Sequence, residues 1–393
     1  MAINIEFFLF TDISTGAGTE NVTLELIKRV PDDFKVKLVE TDLMFGQRIS
    51  NAEIQNYLKN VRIIKFHATD KYNIPLSKSF YRDFIKRPWN KEFKTIPEKD
   101  RKEILDTDIV YLLNNRYASF FHGVKNTIVI ASEHNTLPLF WRQKEDVGTL
   151  KWFFYKMSEP LYLLFYYKPV NGLHVFPNHE KQLNRLHLKY KMVLPNGVDT
   201  DIFLPGKANV GGKLRVFFVS RLIKEKGLDI IIPLADKLSD NPDIEFHIAG
   251  TGPLVNEIKN RNNIIYHGKV NNIDLAKLYR ECDVFIYPSH NDVYPLVTLE
   301  ALSSGLYVLE GDYLKGVFDD FEGKYLEYLP MNVEAFYNRI NEIINNRDII
   351  KHDKLEEHEY VRNNYDWDII AQKFYSKMRE FYKYGEKDRH NGL

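Results

Sequence analysis

The chain has 393 residues, in which 54 Lys and Arg balance 54 Asp and Glu, and its single cysteine is Cys282. At roughly 150 residues per domain this length predicts two or three domains and a core that needs no covalent staples. Zero net charge gives no global field toward nucleic acid, and one cysteine excludes a disulfide framework and multi-cysteine zinc or iron–sulfur sites, which suits a reducing compartment.

The first strand-like run, residues 3–10, carries Glu6 and lacks the basic start and cleavage region of an export signal. The most apolar stretch, residues 152–167, is interrupted by Lys156, Ser158, Glu159 and Pro160 and is too short and polar to span a bilayer. A cytoplasmic protein, soluble or peripheral at the membrane face, is expected. Strand-length apolar runs recur at 3–10, 34–39, 61–66, 109–113, 127–131 and 173–176, alternating with amphipathic stretches. After Pro195-Asn196-Gly197 a second series follows at 214–220, 244–249, 264–267, 284–287 and 306–309. Two doubly wound parallel sheets in tandem fit this alternation best. The expected division is 1–194 for a first lobe, 195–366 for a second, and 367–393 for a terminal segment that crosses back to the first. Within it, residues 367–382 form an amphipathic helix with Ile370, Phe374, Met378 and Phe381 near one stripe, followed by a disordered tail, 385–393.

Several loops carry residues suited to chemistry. Thr15-Gly16-Ala17-Gly18-Thr19-Glu20 joins the first strand to a helical run, with the G-x-G spacing that lets backbone amides approach an anion, but Asn21 stands at the third glycine position. Gly250-Thr251-Gly252-Pro253 likewise has Val255 there. An anion cradle and a plain turn both fit each loop. Arg221, Lys224 and Lys226 cluster between a buried-type strand and the helix 228–237, a place that suits a pyrophosphate or a solvated charged turn.

Asp292 and Glu300 lie eight positions apart around Pro295, which suits the first turn of a helix, 295–304. They can serve as bidentate acceptors for sugar or ribose hydroxyls, or as a helix-start acid and a solvated helix residue. His134 ends the run 128–133 at the carboxyl edge of the first sheet, where a cleft-facing and a structural imidazole are both open. The triplets Asp106-Thr107-Asp108 and Asp199-Thr200-Asp201 have the composition of a cation site, but neither ends a strand, so no metal is expected there.

Taken in order, the chain resembles the family 4 glycosyltransferases, retaining nucleotide-sugar enzymes of the GT-B fold, over nearly its whole length. The strongest carriers are Leu194-Pro195-Asn196-Gly197-Val198-Asp199, the run Ser220-Arg221-Leu222-Ile223-Lys224-Glu225-Lys226-Gly227, Ile248-Ala249-Gly250-Thr251-Gly252-Pro253, and the block from Pro288 through Asp292, Pro295 and Glu300 to Leu302. The resemblance implies an α/β fold of two Rossmann-like doubly wound lobes facing across a cleft. It implies that Arg221 and Lys226 grip the donor diphosphate, that Gly16 and Gly18 offer backbone amides, and that Glu300 holds the ribose hydroxyls. Gly250, Gly252, Leu296 and Val297 complete the donor site, and His134 joins Arg221, Lys226 and Asp292 as the catalytic set. Asp292 departs from the family's usual glutamate by one methylene, and Asn178 replaces a usual serine.

The implied chemistry is sugar transfer from a UDP- or GDP-linked donor to a hydroxyl, with retention, by front-face displacement. Fixed cations stand in for a metal, so no cofactor is expected. The acceptor is expected to be a glycan or lipid-linked. Residues 78–102 carry nine basic residues, among them Lys78, Arg82, Lys86, Arg87, Lys91 and Lys102, against four acidic ones, interleaved with Phe80, Tyr81, Phe84, Trp89 and Phe93. This segment suits either an anionic membrane surface or a solvated helix whose aromatics face the core. A nucleotide-sugar epimerase of similar fold and a non-catalytic nucleotide-sugar sensor are the rival readings, and no nucleic acid partner is expected. A dinucleotide dehydrogenase is disfavoured by the missing third glycines.

Overall fold

β1 (Ile3–Phe8) lies inside a seven-stranded parallel sheet with β2 (Phe34–Thr41), β3 (Arg62–Phe66), β4 (Ile109–Leu112), β5 (Ile128–Ser132), β6 (Gly172–Val175) and β7 (Tyr190–Val193), in the order β3-β2-β1-β4-β5-β6-β7. The computed structural model describes residues 2–15, 18–42, 51–67, 93–113, 115–121, 123–134, 149–150, 153, 156–157, 170–184, 186–207, 212–259 and 261–390. The chain divides into two compact units, Met1–Pro195 with Ala371–Leu393, and Asn196–Ile370.

In the first unit, continuous burial along β4 and β5 marks strands covered on both faces. One face packs an aromatic-rich core in which Phe8 and Tyr117 have ring centroids 5.0 Å apart. On the other, Phe374 of the terminal helix Trp367–His390 stacks on Phe7 at 6.0 Å. Tyr375 of the same helix donates its hydroxyl to Leu26 O at 2.8 Å, and Arg379 pairs with Asp33 at 2.6 Å.

The second unit holds β8 (Leu214–Val219), β9 (Ile244–Ala249), β10 (Ile264–Gly268), β11 (Val284–Tyr287), β12 (Tyr307–Gly311) and β13 (Leu326–Leu329), all parallel, ordered β10-β9-β8-β11-β12-β13. Both sheets are Rossmann-like and doubly wound, as expected. In each, the direction of winding reverses beside the first strand of the sheet, and in open α/β sheets ligands collect outside the carboxyl ends at such a reversal. In the second sheet that point lies between β8 and β11.

The expected elements need four corrections. β7 and β13 are additional edge strands; Lys191 and Glu327 sit at half-exposed positions in them, so neither reads as an apolar run. β1 leaves the ladder after Phe8, although Leu9 and Phe10 remain buried. The helix near residue 295 is Leu296–Ser303, with Pro295 at its N-cap. The terminal helix continues to His390, through most of the tail expected to be disordered; Gly385 packs beside Ile128, where an added Cβ would sit 2.9 Å from its Cδ1.

Candidate active site

The loops after β8 and β11 flank the reversal point of the second sheet, and backbone contacts fix them to each other. The loop after β8 ends in a short turn, Lys224–Lys226, closed by Gly227 at φ +91°. A Cβ on Gly227 would lie 2.3 Å from Pro288 O, so only glycine lets the turn lie against the β11 loop. His290 N donates to Glu225 O at 3.0 Å across the same seam.

This seam places Lys226 and Asp292 together. The Lys226 ammonium pairs with Asp292 Oδ2 and donates to Asn291 O at 3.1 Å. Tyr287, the last residue of β11, donates its hydroxyl to the same Asp292 oxygen at 2.6 Å. Arg221 is exposed just beyond β8, and its guanidinium forms no ion pair among the described residues. Three cations thus stand at the carboxyl end of β8 just before the helix Leu228–Lys237, Lys226 paired and Arg221 and Lys224 exposed to solvent.

Glu300 lies on the second turn of the helix Leu296–Ser303. The Tyr279 hydroxyl lies 3.0 Å from Glu300 Oε2 and 3.0 Å from Val297 O, which steadies both the carboxylate and the first turn. Burial pushes the Glu300 carboxyl up to about 7, against the Tyr279 hydrogen bond, which favours the charged form. Leu296 and Val297 are half-buried beside it. The approach to this helix is held by Asn196, whose amide donates to Tyr294 O at 3.0 Å. That contact is the physical task of the asparagine in the Pro195-Asn196-Gly197 motif.

Gly250 and Gly252 have a steric function. Gly250 has φ +120°, and a Cβ there would fall 1.9 Å from Ser220 O; at Gly252 it would fall 2.5 Å from Leu222 O. Leu222 N donates to Thr251 O at 2.9 Å and Leu254 N to Leu222 O at 3.2 Å. The β9 loop therefore lies against the loop carrying Arg221 and supports it from the side.

In the first unit, Gly16 lies outside the described residues, and Gly18 opens the helix Gly18–Lys28 with nothing within 4 Å of an added Cβ. His134 is half-buried at the end of β5, edge-on to His174 at 5.2 Å and Phe176 at 5.0 Å. Burial pushes the His174 imidazole down to about 4, so it is neutral; its Nε2–H donates to Leu194 O at 2.8 Å and its Nδ1 accepts from the Tyr111 hydroxyl at 2.5 Å. Next to His134, buried Glu133 accepts from Phe176 N and pairs with His179 Nδ1 at 3.1 Å. Asn178 lies in the adjoining turn, Pro177–His179.

Both aspartate triplets have structural partners. Asp108 accepts from Asn4 N at 2.8 Å, Asp199 accepts from Ile202 N at 3.2 Å, and Thr200 bonds Asp366. Residues 78–92 lie outside the described residues. In the described remainder of the basic segment, Phe93 packs on Phe120 at 4.5 Å, while Lys102 pairs with Glu98 at 2.9 Å. No helix among the described residues is long and apolar enough to cross a membrane.

The sequence reading missed Tyr279, Tyr287, Glu310 and the Glu133–His179 pair. Tyr287 could have been found from its place at a strand's carboxyl end before Pro288. Tyr279 has no comparable sign, because it reads as one more apolar position of the helix Asn272–Glu281.

Residues 201–364 match the family described as Glycosyl transferases group 1. Among curated proteins, the chain is 25% identical over 215 residues to the alpha-monoglucosyldiacylglycerol synthase of Streptococcus pneumoniae, covering 49% of this chain and 46% of that one. Such matches span under half the length of the curated relatives. Sucrose-phosphate synthase from Thermosynechococcus elongatus superposes with a TM-score of 0.71 over 97% of this chain and 99% of its own, at 15% identity. The Anabaena protein Alr3699/HepE, solved in complex with UDP, gives 0.66 over 96% and 100%, at 14% identity. The fold of this chain is the GT-B fold of those structures, and the family match over residues 201–364 agrees with the glycosyltransferase resemblance read from its motifs.

Proposed function

From a GT-B chain whose residues 201–364 match the group 1 glycosyl transferases, we propose a nucleotide-sugar-dependent glycosyltransferase, a hexosyl-type transferase. The observation that carries this reading is that Arg221 and Lys226 on the loop after β8, Asp292 on the loop after β11 and Glu300 on the helix that follows it all belong to the elements beside the β8–β11 reversal, with Lys226 and Asp292 in direct contact. The helix amino end with Arg221 and Lys226 suits a diphosphate there, and Glu300 suits the ribose hydroxyls. One structural neighbour is solved in complex with UDP, and a UDP- or GDP-linked sugar is the donor class proposed.

The chemistry proposed is retaining. The bond between the anomeric carbon and the phosphate oxygen breaks, its electron pair passing to that oxygen. The acceptor oxygen forms its bond on the same face, and its proton goes to the departing phosphate, giving glycoside and nucleoside diphosphate. Lys226 and Arg221 stabilise the charge that develops on the diphosphate, work done elsewhere by a metal ion. Transfer therefore persists in excess chelator. His134 is assigned to the acceptor side, and Asp292 to the donor sugar. Measuring a new glycosidic product by mass, with and without chelator, tests this assignment; donor epimerised without transfer favours an epimerase, and binding without turnover favours a sensor.

A lipid-linked acceptor is the second reading, supported by the basic, aromatic composition of residues 78–102 and by the diacylglycerol named in the Streptococcus relative. Sedimentation with neutral and anionic vesicles at low and high salt tests it. Salt-sensitive pelleting on anionic vesicles alone supports a peripheral attachment; equal pelleting on both lipids, or none, points to a soluble glycan acceptor.

A further inference from the structure

Glu310 lies at the carboxyl end of β12 and is fully buried. In register it stands beside Tyr287 of β11, the residue that donates to Asp292, and beside Tyr328 of β13. Among the described residues its one hydrogen-bond partner is Thr298, whose hydroxyl donates to Oε1 at 2.7 Å; Oε2 has none. The end of β12 is packed tightly beneath the β11 loop, since a Cβ on the next residue, Gly311, would lie 3.3 Å from Pro288 Cα.

A buried carboxyl group with one oxygen unpartnered is costly, and an apolar side chain such as the neighbouring Val308 or Leu309 would satisfy the packing. Burial, with the Asp292 charge acting in the same direction, pushes the Glu310 carboxyl well above the ordinary range, which favours its neutral form. A neutral acid beneath Asp292 can fix a neighbour without adding a second negative charge next to a diphosphate.

That neighbour is Thr298, itself fully buried on the first turn of the helix Leu296–Ser303. We propose that Glu310 is a positioning residue of the donor site: fixed on the sheet, it holds Thr298 and thereby the helical turn that presents Leu296, Val297 and Glu300 to the nucleoside half of the donor. This rests on the donor-site assignment made above. It adds a contact from β12 to a site otherwise built from the loops after β8 and β11.

The test is titration of the full chain with UDP and with GDP by calorimetry. For the nucleotide that the wild type binds, Glu310→Val and Thr298→Val each weaken binding at least tenfold. The double variant is no worse than either single one, because each removes the same contact. Glu310→Gln and Thr298→Ser, which keep the acceptor and the hydroxyl, stay within threefold of wild type. Glu310→Val and Thr298→Val variants that melt earlier but bind within threefold overturn the proposal and leave Glu310 as a structural acid. If Glu310→Val does not fold, Thr298→Val against Thr298→Ser decides: equal affinities overturn the proposal. A wild type that binds neither nucleotide overturns the donor-site assignment itself, and this proposal with it.

Discussion

The ammonium of Lys226 is paired with the carboxylate of Asp292, and Tyr287 donates to the same oxygen. The cation proposed to hold a diphosphate is therefore already occupied by an anion. Donor phosphate must compete with Asp292, and Asp292 turned away from Lys226 becomes available to a sugar hydroxyl. On this account Asp292→Asn frees Lys226: affinity for UDP or GDP rises about three- to tenfold, the equivalent of roughly 0.7–1.4 kcal/mol, while sugar transfer falls. Weaker nucleotide binding by this variant would mean that Asp292 orients Lys226 instead of competing for it.

Lys226→Ala and Arg221→Ala each lower transfer by roughly 10²–10³, the range for removing one preorganised charge-stabilising donor. The check is steady-state transfer together with melting temperature. A change below threefold with an unchanged fold removes that residue from the site.

With Glu300 in the ribose contact, donor binding is expected to depend on pH. Burial raises its carboxyl to about 7, and ribose hydroxyls bind the ionised form, so binding in acid must first expel a proton. Affinity for a nucleotide sugar is expected to rise with pH up to about 7 and level off above it. Glu300→Gln binds more weakly, by about 1.5–3 kcal/mol, and loses this dependence. Titrations of both proteins at pH 5.5, 6.5, 7.5 and 8.5 check it; parallel curves would place Glu300 outside the ribose contact.

Glu6 gives stability a pH dependence of its own. It is buried in β1 with Lys37 3.5 Å away, and burial outweighs that charge, raising its carboxyl to about 8. A folded-state value above the unfolded one means that the unfolded chain releases its proton first. Stability from this group is full below about 4.5 and is lost as pH climbs toward 8. Glu300 and Glu357, both raised to about 7, act in the same direction. Glu6→Gln is therefore expected to melt higher than wild type at pH 8, by several degrees, and to differ less at pH 5. Equal offsets at the two pH values would contradict this.

Most of the fold could be read from the sequence because strands covered on both faces are continuous apolar runs, as in Val284–Tyr287 with all four residues buried. The edge strands β7 and β13 escaped for the converse reason: β13 reads Leu-Glu-Tyr-Leu and buries only its first residue fully. The cations and acids of the candidate site were visible because turn residues and charges punctuate the strand ends. What joins them was not visible. The Asp292–Tyr287 contact, the Glu300–Tyr279 contact and the Glu310–Thr298 contact link residues 5, 21 and 12 positions apart, and they depend in turn on the path of the β11 loop, on how two helices pack and on how a helix lies on the sheet. Gly250 and Gly252 illustrate a different limit: their spacing suggests an anion loop, whereas close backbone approach to Ser220 and Leu222 already requires them.

The central claim is transfer of a sugar from a nucleotide diphosphate by fixed cations at the β8–β11 reversal. Its most direct test offers UDP- and GDP-sugars, with glycan and lipid acceptors, to wild type and Lys226→Ala in excess chelator, and detects products by mass and anomeric configuration. The wild type is expected to give a retained glycoside and equimolar nucleoside diphosphate, lowered roughly 10²–10³ in the variant. A wild type that forms no glycoside, or forms one only when manganese is restored, would contradict it.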